Sequence, residues 1–301
     1  MPAIRTILCA HDFSETAELA LAQALRLATR HGARLVLAHV VESVPVGTYP
    51  VVRPLESDFV IRRMAEERMQ EIVDGLRSDD REIQACVRFG EPGAELVELA
   101  KEHHADLVVI GTRGLTGIRH VLLGSTAEYV VRRAPMPVLT VHPDDEIVSD
   151  TLETIVVPTD LSPSAAMATE IFDDFFAHGR RPRVLLAFAN RTLPYLEPFG
   201  EPVLELAHLP DPMKDEILAR MHPVASELEA AGFEVECRIV DGEPAERIPE
   251  LAEAESADLI VLSTHGRSAL ANVLLGRTAQ RIVQHAPCPT LTVRASTRAA
   301  D

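Results

Sequence analysis

Three separated stretches carry residue types that can do chemistry together. Gly111-Thr112-Arg113-Gly114-Leu115-Thr116-Gly117 is followed by Gly124-Ser125-Thr126, and far upstream stands Asp12. Glycines let a backbone approach a ligand with no Cβ in the way. Free N–H groups at a helix start favour an anion, and the hydroxyls of Ser125 and Thr126 would add donors to phosphate oxygens. Asp12 would take donors from a ribose or from the adenine side, or hold a phosphate-bound Mg2+. Together they have the pattern of a nucleotide site. No enzyme constellation accompanies it: G-x-S-x-G and G-x4-GK[ST] are both missing, and no base, nucleophile and oxyanion set can be named. A phosphate cradle binds without necessarily stabilising a transition state, so slow hydrolysis of a nucleotide stays an open alternative.

Such residues work only if the fold brings them to one place. In open α/β sheets ligands bind beyond the carboxyl ends of the strands, and the chain alternates short apolar runs with amphipathic stretches as βα units do. The spacing predicts strands over 6–10, 34–41, 83–89, 106–111 and 137–141, and again over 154–158, 183–189, 234–240, 259–263 and 290–293. Helices are expected from Ser14 (a cap) to His31-Gly32, with Ala17, Leu21, Ala24, Leu25 and Ala28 on one face, and over 57–76, 94–102 and 127–133. Their counterparts follow Ser162-Pro163 and cover 212–230 and 245–255. Glu91-Pro92 and Glu243-Pro244 read as turn and helix-start residues, and the Pro- and Gly-rich segments 43–54 and 191–209 as excursions above the sheet.

The two sets of elements are copies. Ala105-Asp106-Leu107-Val108-Val109-Ile110 returns 152 residues on as Ala257-Asp258-Leu259-Ile260-Val261-Leu262, and Gly90-Glu91-Pro92 returns as Gly242-Glu243-Pro244. Asp12-Phe13-Ser14 matches Asp160-Leu161-Ser162. A period this long is a whole domain rather than a solenoid unit. The polar run from His142 to Glu146 marks the linker, so domains are expected over 1–146 and 147–301.

With these motifs in place, the whole chain resembles a tandem universal stress protein. Nucleotide-binding members of that family show G-x2-G-x9-G-[ST], and Gly111-x2-Gly114-x9-Gly124-Ser125 has it in full. Ile7-Leu8-Cys9-Ala10-His11-Asp12, Leu37-Ala38-His39-Val40 and Ala134-Pro135-Met136-Pro137-Val138 match as well. The resemblance implies two five-stranded parallel sheets of order 3-2-1-4-5 with helices on both faces, and ATP as ligand. It places Ala10 and Val40 (through their backbone) and Asp12 toward adenosine, Gly111 and Gly114 beneath ribose and phosphates, and Gly124, Ser125 and Thr126 on the phosphates; Arg113, a loop residue of the motif, can meet phosphates from its side. The second copy departs from the pattern. Pro158 and Asp160 stand at the first strand's end, Ser263 replaces the first glycine, Gly266 and Gly276 remain, and Arg277 precedes Thr278 where Ser or Thr is expected. Arg277 can pair with a phosphate, and its bulk can equally fill the pocket.

Lys and Arg number 29 against 46 Asp and Glu, a net charge of −17. That charge repels phosphate backbones and anionic headgroups and argues against nucleic acid or membrane-surface partners. No leader-like apolar stretch opens the chain and no run has the length of a membrane span, which reads as a cytoplasmic protein. With aromatics at 4% and no Trp, aliphatic cores are expected. The four cysteines lack any CxxC and read as reduced thiols in or near strands. His103-His104 and His120 lack ligand spacing, while His11 and His265 flank the two proposed pockets. The final strand of each half would be a sheet edge; the resemblance implies that these edges pair, and that the chain forms a homodimer. The functional reading is an ATP-binding stress switch or protective factor acting on an unknown protein partner, against the alternative of an interaction scaffold that binds no nucleotide.

Overall fold

The computed structural model describes residues 4–42, 55–76, 82–114, 123–145, 152–162, 169, 171–176, 179–191, 211–263 and 275–294. The chain divides into two compact units, Met1–Ile147 and Val148–Asp301. In the first, β1 (Thr6–Ala10), α1 (Glu15–His31), β2 (Arg34–Glu42), α2 (Leu55–Leu76), β3 (Ile83–Gly90), α3 (Pro92–Glu102), β4 (Leu107–Gly111), α4 (Ser125–Arg133) and β5 (Val138–Val141) follow one another. The strands form a parallel sheet of order β3-β2-β1-β4-β5. In the second, β6 (Thr154–Thr159), α5 (Phe172–Phe175), β7 (Arg183–Asn190), α6 (Asp211–Ala230), β8 (Glu234–Asp241), α7 (Pro244–Ala254), β9 (Leu259–Ser263), α8 (Arg277–His285) and β10 (Thr290–Val293) repeat the order as β8-β7-β6-β9-β10, again parallel. Each unit is thus an open α/β sheet of order 3-2-1-4-5, as the family resemblance implied.

β1 is buried along its whole length, as expected of a central strand covered on both faces. α1 begins at Ser14, whose hydroxyl accepts from the Ala17 N–H, and ends at Gly32 with φ 62. Its buried face runs through Ala17, Ala20, Leu21, Ala24, Leu27 and Ala28. Leu25, expected on that face, is half-buried, and Ala20 and Leu27 take the contact instead. The cores are mostly aliphatic. The second unit departs from that expectation, because Phe172, Phe176 and Phe233 meet edge-to-face at 5.2 to 5.8 Å and Phe175 joins Phe176 at 5.1 Å. None of the four cysteines is in a disulfide: Cys9, Cys86 and Cys237 lie on strands and Cys288 just before β10. No helix among the described residues is long and apolar enough to cross a membrane.

The repeated Ala-Asp-Leu motif has a structural task that its sequence does not announce. Asp106 accepts from the N–H groups of Arg5 and Thr6 at 2.8 and 3.0 Å, and Asp258 accepts from Glu153 and Thr154 at 2.6 and 2.9 Å. Each aspartate, at the entrance to the fourth strand of its unit, pins the start of the first strand across a separation of about a hundred residues. Charge-assisted bonds of this kind are the strong ones. They hold β1 beside β4, and so place the loops at the opposite ends of those strands next to each other.

Candidate functional site

The carboxyl ends of β1, β2 and β4 lie side by side: Ala10 and Gly111 close β1 and β4, and Val40 lies in β2, two residues before its end at Glu42. Beyond β1 the chain makes a tight turn. Asp12 Oδ1 accepts from the Ser14 N–H at 3.1 Å and from the Ser14 hydroxyl at 2.6 Å, while Phe13 sits in the left-handed region at φ 67. Two carbonyl-to-amide bonds anchor the surroundings, His11 N–H to Ala38 O at 2.8 Å and Thr112 N–H to Val141 O at 2.8 Å. The Arg113 carbonyl lies 3.5 Å from the Ser14 hydroxyl, so the loops after β1 and β4 touch.

The three glycines are required for different reasons. A Cβ on Gly111 would meet the side chain and backbone of Thr16, at 2.9 and 3.2 Å, which is a demand of strand-on-helix packing. One on Gly124 would come within 3.3 Å of the Thr112 carbonyl, which accepts the Gly124 N–H at 2.7 Å. Only at Gly114 is the conflict with a candidate ligand-binding group: a Cβ there would fall within van der Waals contact of Asp12 Oδ2. Asp12 and Gly114, 102 positions apart in sequence, therefore form one surface. α4 opens at Ser125, two residues earlier than the sequence suggested, with Gly124 as its N-cap and no side-chain cap. Its first-turn N–H groups, with the Ser125 and Thr126 side chains, are presented beyond β4 in the manner of an anion site.

Thr112, which sequence reasoning passed over, is completely buried, and its hydroxyl has no hydrogen-bond partner among the described residues. Arg113 Nε is likewise buried without a partner among them. Orphaned polar atoms are rare in native interiors and mark places where a further group can bind. Their signal in sequence was only adjacency to Gly111 and Gly114.

His11 is buried rather than lying on a polar rim. Its Nδ1 accepts from the Phe13 N–H at 3.2 Å, and its Nε2 lies 3.3 Å from Glu18 Oε1. The Nδ1–H of His39 donates to the His11 carbonyl at 2.7 Å. Burial holds both imidazoles below the ordinary histidine range, against the opposing pull of Glu18 and Asp12 on His11. His104 is exposed in a left-handed turn at φ 52, and His103 caps α3. No three His, Cys, Asp or Glu side chains among the described residues form a group able to hold a metal ion. Asp12 Oδ1 is engaged by Ser14, and its Oδ2 lies against Gly114.

In the second unit, Pro158 lies in β6 and Asp160 repeats the turn, accepting from the Ser162 N–H at 3.0 Å with Leu161 at φ 62. Ser263 closes β9, and Gly276 caps α8, again without a side-chain cap. Arg277, the first residue of α8, is exposed. Thr278 Oγ1 accepts from Arg191 Nη2 at 3.1 Å, and Arg191 also pairs with Glu243 at 2.9 Å. Gly266, His265, Gly117, His120, the helix start at Pro163 and the segments 43–54 and 192–209 lie outside the described residues.

The profile of the universal stress protein family matches residues 3–142 and, a second time, residues 151–294. A universal stress protein of Mycolicibacterium smegmatis is 29% identical over 295 residues, covering 96% of each chain. A shorter one from Thermus aquaticus is 38% identical over 139 residues, 46% of this chain and 98% of its own length. The crystal structure of a universal stress protein from Archaeoglobus fulgidus superposes with a TM-score of 0.71 over 98% of both chains at 18% identity, which speaks for the fold. The double family match, with one domain's worth of chain in each, makes this protein a tandem member of the universal stress protein family.

Proposed function

We propose that the first domain binds an adenine nucleotide, ATP, and that its occupancy is the signal this protein passes on as a stress switch or protective factor. The observation that carries the reading is the joining of Asp12 to Gly114 beside the uncapped start of α4. A carboxylate that suits sugar hydroxyls and a helix start that suits phosphate thereby face one ligand. Ala10 and Val40 would meet adenosine through their backbone, Gly111, Arg113 and Gly114 would run beneath ribose and phosphates, and Gly124, Ser125 and Thr126 would hold the phosphates. The orphaned Thr112 hydroxyl fits a bound polar group nearby. Mg2+ would arrive on the phosphates themselves, with hydroxyls rather than Asp12 nearest to it. Pro158, Asp160, Ser263, Gly266, Gly276, Arg277 and Thr278 form the corresponding set of the second domain, where Arg277 replaces the hydroxyl donor Ser125.

Ordering of the Gly111–Gly124 loop by phosphates, with the change passed to a partner surface, is the mechanism proposed. Assembly as a homodimer belongs to the same reading; light scattering on the purified protein checks it, and a strict monomer at high concentration would refute it. The deciding experiment is to denature the purified protein and identify and count the released nucleotides by chromatography and mass spectrometry. About one ATP per chain is expected if only the first set is occupied, and about two if Arg277 accepts phosphate. No nucleotide, together with no heat of binding on adding Mg-ATP, overturns the proposal in favour of an interaction scaffold.

A further inference from the structure

The turn that carries Asp12 is built twice in this chain, with one difference. The Phe13 N–H donates to Nδ1 of His11 at 3.2 Å, whereas the Leu161 N–H donates to Oγ1 of Thr159 at 3.0 Å. Both donors belong to large residues in the left-handed region, at φ 67 and φ 62, a conformation that costs energy and needs a holding contact. In both copies the next N–H, of Ser14 or Ser162, goes to the aspartate. A threonine hydroxyl accepts at any pH. An imidazole nitrogen accepts only while it is unprotonated.

We propose that His11 is a proton-responsive positioning residue of the first domain's nucleotide site: protonation at Nδ1 removes the acceptor of the Phe13 N–H and releases the turn that aims Asp12. This rests on the reading of that site given above. The geometry fixes the tautomer. Because Nδ1 accepts from the Phe13 N–H, the neutral ring carries its proton on Nε2, 3.3 Å from Glu18 Oε1. A second proton then sets two N–H groups against each other at Nδ1. The Phe13 ring is held at 5.4 Å from the His11 ring and 4.5 Å from that of His39, with the Arg68 guanidinium 4.3 Å from its centre, so a change at Phe13 is felt by β2 and α2. The charged and titratable groups facing His11 are Glu18 from α1, Asp12 from its own loop and His39 from β2, with Arg68 of α2 beyond Phe13.

Burial lowers the pKa of His11 from its ordinary value of 6.5, so the ring is neutral at pH 7. The binding-competent turn is therefore complete above pH 6.5 and is lost as pH falls through the lowered value. For one linked proton the affinity then falls by at most about tenfold per pH unit.

The test is calorimetry of ATP binding to the wild-type protein and to His11→Thr, which installs the acceptor of the second domain. Each protein's Kd at about pH 5.5 is divided by its own Kd at about pH 7.5, and comparing the two quotients cancels the titration of the nucleotide, which both proteins share. The quotient is expected to be larger for the wild type once the lower pH lies below the His11 midpoint, by up to about tenfold per pH unit beyond it; quotients that stay equal through that midpoint overturn the proposal. A second measurement needs neither variant nor nucleotide. In the free wild-type protein, NMR should show the Phe13 amide and the His11 ring nitrogens shifting together with one midpoint below 6.5. A Phe13 amide that ignores the titration of His11 overturns the proposal even if the variant does not fold. Absence of ATP binding at every pH would sink the nucleotide reading, while the NMR result would still decide the His11–Phe13 coupling.

Discussion

The starts of α4 and α8 occupy equivalent places in two copies of one fold, yet they distribute their bonds differently. At α4, Gly124 is followed by Ser125 and Thr126, and the neighbouring helix α3 is capped by Glu91, which accepts from the Ala94 N–H at 3.0 Å. At α8, Gly276 is followed by Arg277 and Thr278. Here Glu243, the counterpart of Glu91, makes no capping bond and instead pairs with Arg191, whose guanidinium also engages the Thr278 hydroxyl. One cation has turned a capping glutamate into an ion-pair partner and taken up a hydroxyl at the proposed phosphate position. Duplication preserved the backbone frame, while the chemistry at its open end was rewritten by two or three side chains.

The sharpest way to break this comparison is Gly114→Val. Its side chain would fall on the Asp12 carboxylate, and a loss of about 100-fold in ATP affinity at the first domain is expected, about 2.7 kcal/mol. The released nucleotide should drop by one per chain, with thermal unfolding little changed because the conflict lies at the open end of the sheet. Unchanged nucleotide content would assign any binding to the second domain and invert the proposed division of labour.

Next in size comes a test of what the copies share. Asp106→Ala and Asp258→Ala each strip two backbone N–H groups of a charged acceptor, and hydrogen bonds to charged groups contribute about 1.5–3 kcal/mol. Urea unfolding should show a loss of about 2 kcal/mol for each, carried by the first unit in one case and the second in the other. Equal effects on both transitions from either variant would mean that the units do not unfold separately.

These aspartates also show where sequence reading stops. The repeat and the period of the apolar runs made the elements and their doubling legible, because side-chain alternation and helix caps are local, whereas the strand order came from the family resemblance. The pinning of Thr6 by Asp106 is not local: nothing around Ala105-Asp106-Leu107 says that its carboxylate faces the chain's fifth and sixth residues. The glycine spacing likewise pointed to a cradle, but the contact that separates Gly114 from Gly111, one facing Asp12 and the other Thr16, exists only once β1 and β4 are neighbours. His11 was legible as a residue near the pocket, not as an acceptor for the backbone. A phenylalanine at φ 67 is an outlier that no propensity anticipates.

A smaller effect separates the fold from the site. Ser14 caps α1 through the Ala17 N–H and gives its own N–H and hydroxyl to Asp12. Ser14→Ala should cost about 1 kcal/mol of stability, the usual value of a lost cap. Ser14→Gly should cost only a few tenths of a kcal/mol in stability yet lower ATP affinity as much as the alanine variant, because both remove the hydroxyl from Asp12. A difference in ATP affinity between the two variants that follows their stabilities would show that Ser14 serves the helix alone.

The smallest expected change returns to the rewritten end of the second domain. Arg191 and Glu243 are about half and two-fifths exposed, and exposed pairs contribute little, so Arg191→Ala should shift urea unfolding by less than about 0.5 kcal/mol. Its effect on binding discriminates two roles for the arginine. If Arg191 holds Thr278 away from ligand, the alanine variant raises the nucleotide count of the second domain. If it turns from Glu243 to meet phosphate, the same variant lowers that count, and Glu243→Gln, which frees the guanidinium, raises it. Because Arg191→Ala raises the count in the first case and lowers it in the second, counting bound nucleotide decides whether the second domain closed its site or changed what the site prefers.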